Sequence, residues 1–370
     1  MKELPNTVKR SIELVGLCAV AYIITAGRDV ITPILMAFFL SILLLPLYRV
    51  LRKYKFPEVL AIFFSILAAA LVLAGVGWFF SMQIARLLSD IPQIQDNLNG
   101  HWKSISSWIN AKTQFSSHQQ LEWLRMQSQR LVGNAGSYLS GAALTLTGVF
   151  VFVGLLPIYT FLIMYYKNLL LRFTFLWFKP EQHATVQTTL TEAQSIIMSY
   201  LVGLMIQITY ITILLGGLLA ILGIKHALLI GVIFAFLNLI PYVGALVGNL
   251  IGALLTLTSS QDLTPILIVL GSIAAVQFLD NNILMPRIVG SKVKLNALAS
   301  ILGVIIGGSL AGVAGMFLSL PVMAVLKIIF DNSDSFRQWG ILLGDEKPKK
   351  SPMSIAKLKM RRGADEPKKP

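Results

Sequence analysis

The stretch HALLIGVIFAFLNLIPYVGALVGNLIGALLTLT, residues 226–258, decides the fold together with its counterpart LASILGVIIGGSLAGVAGMFLSLPVMAVLKIIF at residues 298–330. Each block is strongly apolar and 33 residues long. A straight helix crosses the roughly 30 Å hydrocarbon layer in about 20 residues, so each block is too long for one span and too short for two. We therefore predict at each position either a helical hairpin that re-enters the membrane or one long broken helix.

Helix-breaking residues lie within both blocks, where a membrane helix would ordinarily be continuous. The first block is interrupted by Pro241, Tyr242 and Gly244. The second block carries four glycines near its middle and a later proline, namely Gly307, Gly308, Gly312, Gly315 and Pro321. Broken helices free backbone N–H and C=O groups, which are costly in lipid unless protein or a water-filled cavity satisfies them. The breaks therefore indicate a polar pathway, although glycines at this spacing also serve close helix packing.

The composition is typical of a polytopic membrane protein and excludes an ordinary soluble domain. Hydrophobic residues make up 55% of the chain and charged residues 13%, and the mean hydropathy is +0.73. The formal net charge is +14, but the basic residues cluster between the predicted spans and in the tail. This distribution predicts contact with anionic lipids at the basic loops and tail, and it argues against nucleic acid as a partner.

The chain divides into four regions, and its predicted elements are helices. These regions are a three-span part at 1–85, an amphipathic helical segment outside the cytoplasm at 86–140, a transport core at 141–335 and a basic cytoplasmic tail at 336–370. The alternative for residues 86–140 is that they only connect two spans. Because positive charge stays on the cytoplasmic side, we expect both termini inside. The fold class is all-α, a multi-pass membrane protein with about eight transmembrane helices.

The predicted spans give the two interrupted blocks opposite orientations. The fifth span, residues 196–222, runs outward, so the block 226–258 is entered from outside. The span at 265–284 runs inward, so the block 298–330 is entered from inside. A span followed by an interrupted block thus occurs twice in inverted orientation. This pattern is typical of secondary transporters, whose binding site lies between the repeats.

Asp280 is the strongest candidate for a functional residue, because a carboxylate within a membrane span is costly and generally functional. It is followed by Asn281 and Asn282 and then by Arg287. One interpretation places these residues on a substrate or ion pathway. The other places Asp280 at the cytoplasmic end of its helix, paired with Arg287. We expect polar side chains of neighbouring elements around it, namely Asn238 and Asn249 of the first block and Gln207, Thr209 and Tyr210 of the fifth span.

The sequence contains no motif of an enzyme, a cofactor or a metal site. A Gly-x-x-x-x-Gly-Lys-Ser/Thr phosphate loop is absent, which excludes ATP hydrolysis by that route. A His-Glu-x-x-His zinc motif and a Gly-x-Ser-x-Gly nucleophile elbow are absent as well. Cys18 is the only cysteine, so an intrachain disulfide is excluded. We therefore expect no cofactor, no metal and no catalytic residue.

Three segments together resemble the autoinducer-2 exporter (AI-2E) family, and the resemblance extends from about residue 10 to 335. The segments are NLIPYVG at 238–244, FLDNNILMPRIVG at 278–290 and GGSLAGVAGMFLSLPV at 307–322. Relatives often show His-Pro before the last block, where Asn296 and Ala297 stand here. The resemblance implies a bacterial inner-membrane protein with several spans and with both ends cytoplasmic.

The resemblance implies a transporter more firmly than it implies any one cargo. The family is named for export of the signalling molecule autoinducer-2, so export of a small hydrophilic molecule is the first hypothesis. Some relatives are described as sodium/proton antiporters, which makes Asp280 a candidate proton and cation carrier in the second hypothesis. A membrane scaffold that acts through residues 86–140 or the tail is the third. Homo-oligomers are compatible with the resemblance, and this sequence neither requires nor forbids them.

Overall fold

The computed structural model describes residues 6–90, 97, 100, 154–240, 243–260, 262–288, 295–333 and 336–345. These residues are mainly helical, and the one β-contact among them is an isolated bridge between Leu295 and Gly344. The all-α prediction is therefore confirmed. The helices in chain order are α1 (Asn6–Ala26), α2 (Arg28–Lys53), α3 (Glu58–Ser89), α4 (Gly154–Tyr165), α5 (Lys167–Leu176), α6 (His183–Ile221), α7 (Ala227–Leu237), α8 (Val243–Ser259), α9 (Thr264–Leu279), α10 (Met285–Ile288), α11 (Ala297–Asp331) and α12 (Arg337–Leu343).

Five of the described helices are long and apolar enough to cross a bilayer, namely α2, α3, α6, α9 with its continuation to Leu284, and α11. The bent pair α4 and α5, whose axes meet at 65°, adds a sixth if the two are counted as one span. Large apolar side chains such as Leu71, Val72 and Trp78 of α3 are exposed, as expected of a surface that faces lipid. The multi-pass prediction is confirmed, whereas the count of about eight spans stays a prediction.

The first interrupted block forms a helical hairpin, which we call hairpin 1 and which consists of α7 and α8. A side chain at Gly248 would collide with the ring of Phe234, so the two arms run antiparallel in close contact. α7 also lies antiparallel along α6, because a Cβ atom at Gly231 would come within 2.7 Å of the backbone nitrogen of Gly216. Helices that approach this closely need glycine at the crossing point. Hairpin 1 turns back at the segment that begins with Asn238.

The second block also folds back on itself, and we call α11 hairpin 2. The chain leaves the helical conformation at Gly312, where φ is 61° and ψ is −145°, a combination that favours glycine. Beyond this turn Gly315 packs against the backbone of Gly307, and Met323 packs against Gly303. The length of α11 alone would suit a single span, but these contacts show two antiparallel arms. Of the two predicted interpretations, the hairpin is confirmed.

Three clusters of buried apolar side chains are found among the described residues, and two of them include α6. The first joins α6, hairpin 1 and α9, and it includes Ile211, Phe234 and Ile273. The second joins α2, α6 and hairpin 2, and it includes Leu204 and Leu318. Lipid is as apolar as these side chains, so close packing rather than release of water stabilises their association. Because α6 belongs to both clusters, it is the central helix of the described core.

Polar contacts mark one end of the helices, which we call the basic end because the basic loop after α2 lies there. Lys167 donates a hydrogen bond of 2.8 Å to Tyr48 Oη and lies 3.6 Å from the Glu58 carboxylate. The Tyr48 hydroxyl donates in turn to Glu58 Oε1 at 3.1 Å. These contacts join α2, α3 and α5. The last residues of α3 and α6 lie at the opposite end.

Asn296 fastens the C-terminal helix α12 to hairpin 2. Its side-chain oxygen accepts a hydrogen bond of 2.8 Å from the backbone N–H of Ala299, which caps the N-terminus of α11. Its side-chain nitrogen donates to the backbone carbonyls of Leu342 at 2.6 Å and Gly344 at 3.0 Å. One asparagine therefore binds both the start of hairpin 2 and the end of α12.

Cysteine cross-linking tests the fold of hairpin 2. In a Cys18→Ser background we expect the pair Gly303→Cys and Met323→Cys to form a disulfide on mild oxidation. The two positions face each other across hairpin 2, whereas about 30 Å would separate them in a straight helix. The matched control pairs Leu302→Cys, one position further round the same arm, with Met323→Cys. Peptide mapping by mass spectrometry gives the yields, and equally low yields from both pairs would contradict the hairpin.

Candidate functional site

Asp280 lies at the point where α9 ends, and its side chain is 1% exposed. The chain continues from it as a π-helical turn, Asp280–Leu284, before α10 begins. A π-helical turn widens the helix by one residue and leaves some backbone groups without their usual partners. Such turns occur frequently at functional sites. The buried carboxylate and the irregular backbone therefore coincide at one position.

Three uncharged side chains donate hydrogen bonds to the Asp280 carboxylate. Gln207 Nε2 donates to Oδ2 at 2.9 Å, and Asn238 Nδ2 donates to the same oxygen at 3.0 Å. The hydroxyl of Tyr210 donates to Oδ1. Gln207 and Tyr210 are three residues apart and therefore share one face of α6, while Asn238 comes from the turn of hairpin 1. We call these four residues the Asp280 cluster.

The Asp280 cluster lies deep along the membrane-spanning helices. Gln207 precedes the end of α6 at Ile221 by 14 residues, which corresponds to about 21 Å along the helix axis. Asp280 follows directly on the 16 residues of α9, which rise about 24 Å. Both lengths run from the end of the bundle where α6 finishes and α9 starts, so the carboxylate lies about 21–24 Å from that end, along helices long enough to cross a hydrocarbon layer of roughly 30 Å. An unsolvated carboxylate is strongly disfavoured there, so the three donors are needed to offset its transfer from water.

The Asp280 cluster retains one unused acceptor. Gln207 is 2% exposed, and its side-chain oxygen Oε1 has no hydrogen-bond partner within the described part of the chain. A buried amide oxygen without a partner is unfavourable, and it is satisfied by a hydroxyl, a water or a cation. No group of three or more His, Cys, Asp or Glu side chains that could hold a metal ion is found among the described residues. The site is thus rich in oxygen acceptors and poor in charge.

The predicted pairing of Asp280 with Arg287 is wrong. Arg287 lies on α10 and is exposed, whereas Asp280 is buried and takes its hydrogen bonds from α6 and hairpin 1. No ion pair between the two is present. The physical reason is that the π-helical turn and α10 carry the chain on to an exposed position, while uncharged donors already satisfy the carboxylate. Arg287 is therefore not part of the Asp280 cluster.

Asn281 and Asn282 share the π-helical turn with Asp280, but both are exposed. Asn281 accepts a hydrogen bond from Gln277 at 3.2 Å, and Asn282 donates to the backbone carbonyl of Phe278 at 2.8 Å. These contacts are local to the helix. The structure therefore separates Asp280 from the two asparagines that follow it, and a pathway role for them stays a prediction.

The candidates in hairpin 1 divide by position. Gly244 is buried, and a side chain there would collide with the backbone of Leu237 and Asn238, so glycine permits the tight turn that presents Asn238. Pro241 and Tyr242 lie outside the described residues. Asn249 and Thr209, expected near Asp280, instead bond to backbone carbonyls of their own helices. Of the predicted polar neighbours, Gln207, Tyr210 and Asn238 are the ones brought together.

The candidates in hairpin 2 serve packing in this structure. Gly307 and Gly308 contact the opposite arm, Gly315 contacts Gly307, and Gly312 forms the turn. Pro321 is buried within the second arm. Hairpin 2 approaches the site through apolar side chains, since Leu239, next to Asn238, packs against the cluster that contains Leu204 and Leu318. A pathway role for these glycines and for Pro321 stays a prediction.

Sequence reasoning missed two features of the site. It named Tyr210 only as one neighbour among several, although its spacing of three residues from Gln207 places both on one helical face. It also did not foresee the π-helical turn at Asp280, for which the sequence has no clear signal beyond the adjacent asparagines. The cluster is therefore more compact than predicted.

A double-mutant cycle measures the coupling inside the Asp280 cluster. Gln207→Leu and Asp280→Leu each remove one partner of a buried hydrogen bond, so we expect the free energies of unfolding to be non-additive by about 1–3 kcal/mol. Thermal unfolding in detergent, followed by tryptophan fluorescence, provides the values. Asn282→Ala is the matched partner for the control cycle with Asp280→Leu and should show coupling near zero. Additive effects in both cycles would show that the hydrogen bond does not contribute to stability.

Comparison with known proteins agrees with this architecture. The family model described as AI-2E family transporter matches residues 12–334. The "Putative transport protein YrrI" of Bacillus subtilis is 24% identical over 311 residues, which cover 82% of this chain and 86% of that protein. The "AI-2 transport protein TqsA" of Escherichia coli is 25% identical over 337 residues, which cover 89% and 92%.

A third relative, the "Putative transport protein YueF" of Bacillus subtilis, is 27% identical over 314 residues, which cover 81% of this chain and 83% of that protein. The family match includes the whole Asp280 cluster, both hairpins and the N-terminal helices. A match of this extent assigns the family, which the sequence analysis had reached from three short segments. This chain is a multi-pass membrane protein that belongs to the AI-2E family of transporters.

Proposed function

We propose that this chain is a secondary transporter that exports a small, hydroxyl-rich, hydrophilic molecule resembling autoinducer-2, with the Asp280 cluster as its binding site. The observation that carries the proposal is the buried Asp280 carboxylate, which three uncharged donors of α6 and of the turn of hairpin 1 hold in place. Family membership supports transport. The relative TqsA, named an AI-2 transport protein, supports the class of cargo.

The chemistry of the Asp280 cluster suits an uncharged molecule with several hydroxyl groups. Such a molecule loses hydrogen bonds to water when it enters the membrane and needs protein donors and acceptors instead. Asp280 and Gln207 Oε1 accept hydrogen bonds from its hydroxyls, while Asn238 Nδ2 has a second N–H, beyond the one given to Asp280, to offer its oxygens. A charged side chain opposite Asp280 would occupy the carboxylate permanently, and none pairs with it among the described residues.

Access to the Asp280 cluster requires hairpin 1 to move, because the carboxylate is buried in this structure. The chain leaves the helical conformation at the turn of hairpin 1, and among the described residues of this turn it is Asn238 that holds the site, through its hydrogen bond to Asp280. In the proposed cycle the cargo replaces Asn238 as the partner of Asp280, and the turn then releases. The absence of a Walker phosphate loop from the sequence is consistent with transport driven by gradients.

The proposed orientation places the basic end in the cytoplasm. Positive residues between spans remain on the cytoplasmic side, and the loop after α2 is strongly basic. Both termini are then cytoplasmic, and the basic loops and tail contact anionic lipids of the inner leaflet of a bacterial plasma membrane. The cargo enters from the basic end and leaves at the end where α3 and α6 finish.

Transport by everted membrane vesicles tests the proposal. We expect vesicles that contain the protein to accumulate autoinducer-2, and we expect Asp280→Ala to reduce the initial rate roughly tenfold or more, because a charged hydrogen-bonding group is lost from the site. Asn282→Ala, an exposed substitution two residues away, is the matched control and should retain the rate. Equal accumulation by Asp280→Ala and the unaltered protein would remove Asp280 from the mechanism.

A sodium/proton antiporter is the second candidate, and one observation favours it. The unused Oε1 atom of Gln207 and the carboxylate of Asp280 are oxygen ligands of the kind that a small hard cation prefers. None of the relatives described above is named an antiporter. The same buried acceptors thus suit either a hydroxyl-bearing cargo or a cation, and only a flux measurement separates the two.

Proteoliposomes loaded with a pH-sensitive dye decide between the two candidates. If the chain exports an uncharged solute, added sodium should leave the internal pH unchanged between pH 6 and 9. A sodium-induced pH change that is lost in Asp280→Asn but kept in Asn282→Ala would instead establish the antiporter. Asp280→Asn preserves the shape of the side chain, so the comparison isolates its charge.

A further inference from the structure

A second polar site lies at the end of the bundle opposite the basic end, where α3 meets hairpin 1. α3 and α7 run antiparallel there, because Phe80 packs edge-on against Phe236 with ring centroids 5.7 Å apart and Asp90 contacts His226 ten residues further along. A cavity of about 380 Å³ opens between them. This volume is within the range of small-molecule sites. Its polar lining consists of Gln83, Arg86, Ser89, Asp90, Lys225 and His226.

Charge in this cavity is predominantly positive. Asp90 pairs with Lys225 at 3.0 Å and lies 3.3 Å from His226 Nε2. Arg86 is exposed and forms no ion pair with any described residue. Among the described residues of the lining, one carboxylate therefore faces two permanent cations and an imidazole. A solute that carries a negative charge would be attracted to such a lining.

One buried group of the cavity lacks a hydrogen bond of good geometry. The His226 side chain is 6% exposed, and its Nε2 atom, 3.3 Å from Asp90, makes no hydrogen bond of good geometry within the described part of the chain. A buried polar group of this kind generally has a partner in the functional state. His226 therefore points to a ligand rather than to a structural role alone.

The backbone of His226 supports the same conclusion. Its φ of 60° and ψ of 23° place it in the left-handed region, which non-glycine residues rarely adopt. Strained residues of this kind cluster at ligand sites, where the surrounding structure maintains them. Burial lowers the pKa of His226 and Lys225 lowers it further, while nearby Asp90 partly offsets both effects. The imidazole is thus mainly neutral at pH 7 and carries one N–H, which Asp90 or a bound oxyanion can accept.

We propose that this cavity binds an oxyanion, a carboxylate or phosphate group, which bridges Arg86 of α3 to Lys225 and His226 at the entrance of hairpin 1. Bound there, the oxyanion fastens α3 to the arm of hairpin 1 whose far end presents Asn238 to Asp280. The oxyanion belongs either to a dissolved solute or to a lipid headgroup, since the chemistry of recognition is the same for both. This inference does not depend on the cargo or direction proposed for the Asp280 cluster.

Histidine-selective NMR of the full-length protein in phosphatidylcholine nanodiscs tests the site, with sulfate as the probe because its charge is constant near neutral pH. The chain has four histidines, and loss of one resonance in His226→Gln assigns the relevant signal. We expect sulfate to shift the His226 resonance saturably. Arg86→Gln should weaken sulfate binding about tenfold, since a charge-assisted hydrogen bond is lost, whereas Arg86→Lys should keep most of it. Arg172→Gln on α5 is the matched control outside the cavity.

The source of the oxyanion follows from a second set of nanodiscs that contain phosphatidylglycerol. If this lipid shifts the His226 resonance without sulfate and competes with sulfate, the ligand is a lipid headgroup. If sulfate binds equally in both lipids, the ligand is a dissolved solute. The proposal is overturned if the His226 resonance does not respond to either probe, or if Arg86→Gln and the unaltered protein respond alike. Asp280→Asn should leave sulfate binding unchanged, so failure here and failure of the transport proposal are separate results.

Discussion

A carboxylate inside a bilayer must find its hydrogen-bond donors in the protein, because the surrounding acyl chains offer none. For Asp280 these donors come from the middle of α6 and from the turn of hairpin 1. That single requirement determines where three elements of the core meet. The glycines of α6, α7 and α8 then permit the close approach that the meeting demands.

The two hairpins come from blocks of equal length, but they differ in chemistry. Hairpin 1 delivers a polar side chain to the buried carboxylate, whereas hairpin 2 supplies apolar side chains such as Leu318 to the neighbouring packing cluster. The likeness of the two hairpins is therefore one of backbone shape. Hairpin 1 bonds to the carboxylate, and hairpin 2 packs against the apolar residues beside it.

Sequence reasoning predicted the elements whose signals are local. Apolar length and charge placement predicted the membrane helices, and the interrupted 33-residue blocks predicted either hairpins or broken helices, of which the structure shows hairpins. Asp280 stood out because it is a carboxylate in an apolar span. Its partners were predicted in part: Gln207, Tyr210 and Asn238 were expected near it and bond to it. Arg287 is near in sequence and opposite in charge, but a π-helical turn separates its side chain from Asp280. The correct partners lie up to 73 residues away, and tertiary packing alone brings them together. The contact of Asp90 with His226 is long-range in the same way.

The attachment of α12 to hairpin 2 has a consequence for how this protein is engineered. Asn296 donates hydrogen bonds to the backbone carbonyls of Leu342 and Gly344, and these bonds attach α12, the final described helix, to the start of hairpin 2; we call this attachment the clasp. Because the acceptors are main-chain atoms, the clasp depends on the path of the backbone, and we expect it to tolerate side-chain replacement in α12. A truncation that removes α12 would leave the Asn296 amide facing vacated space. Purification handles and fluorescent fusions are therefore best appended after Gly344, where the clasp stays intact.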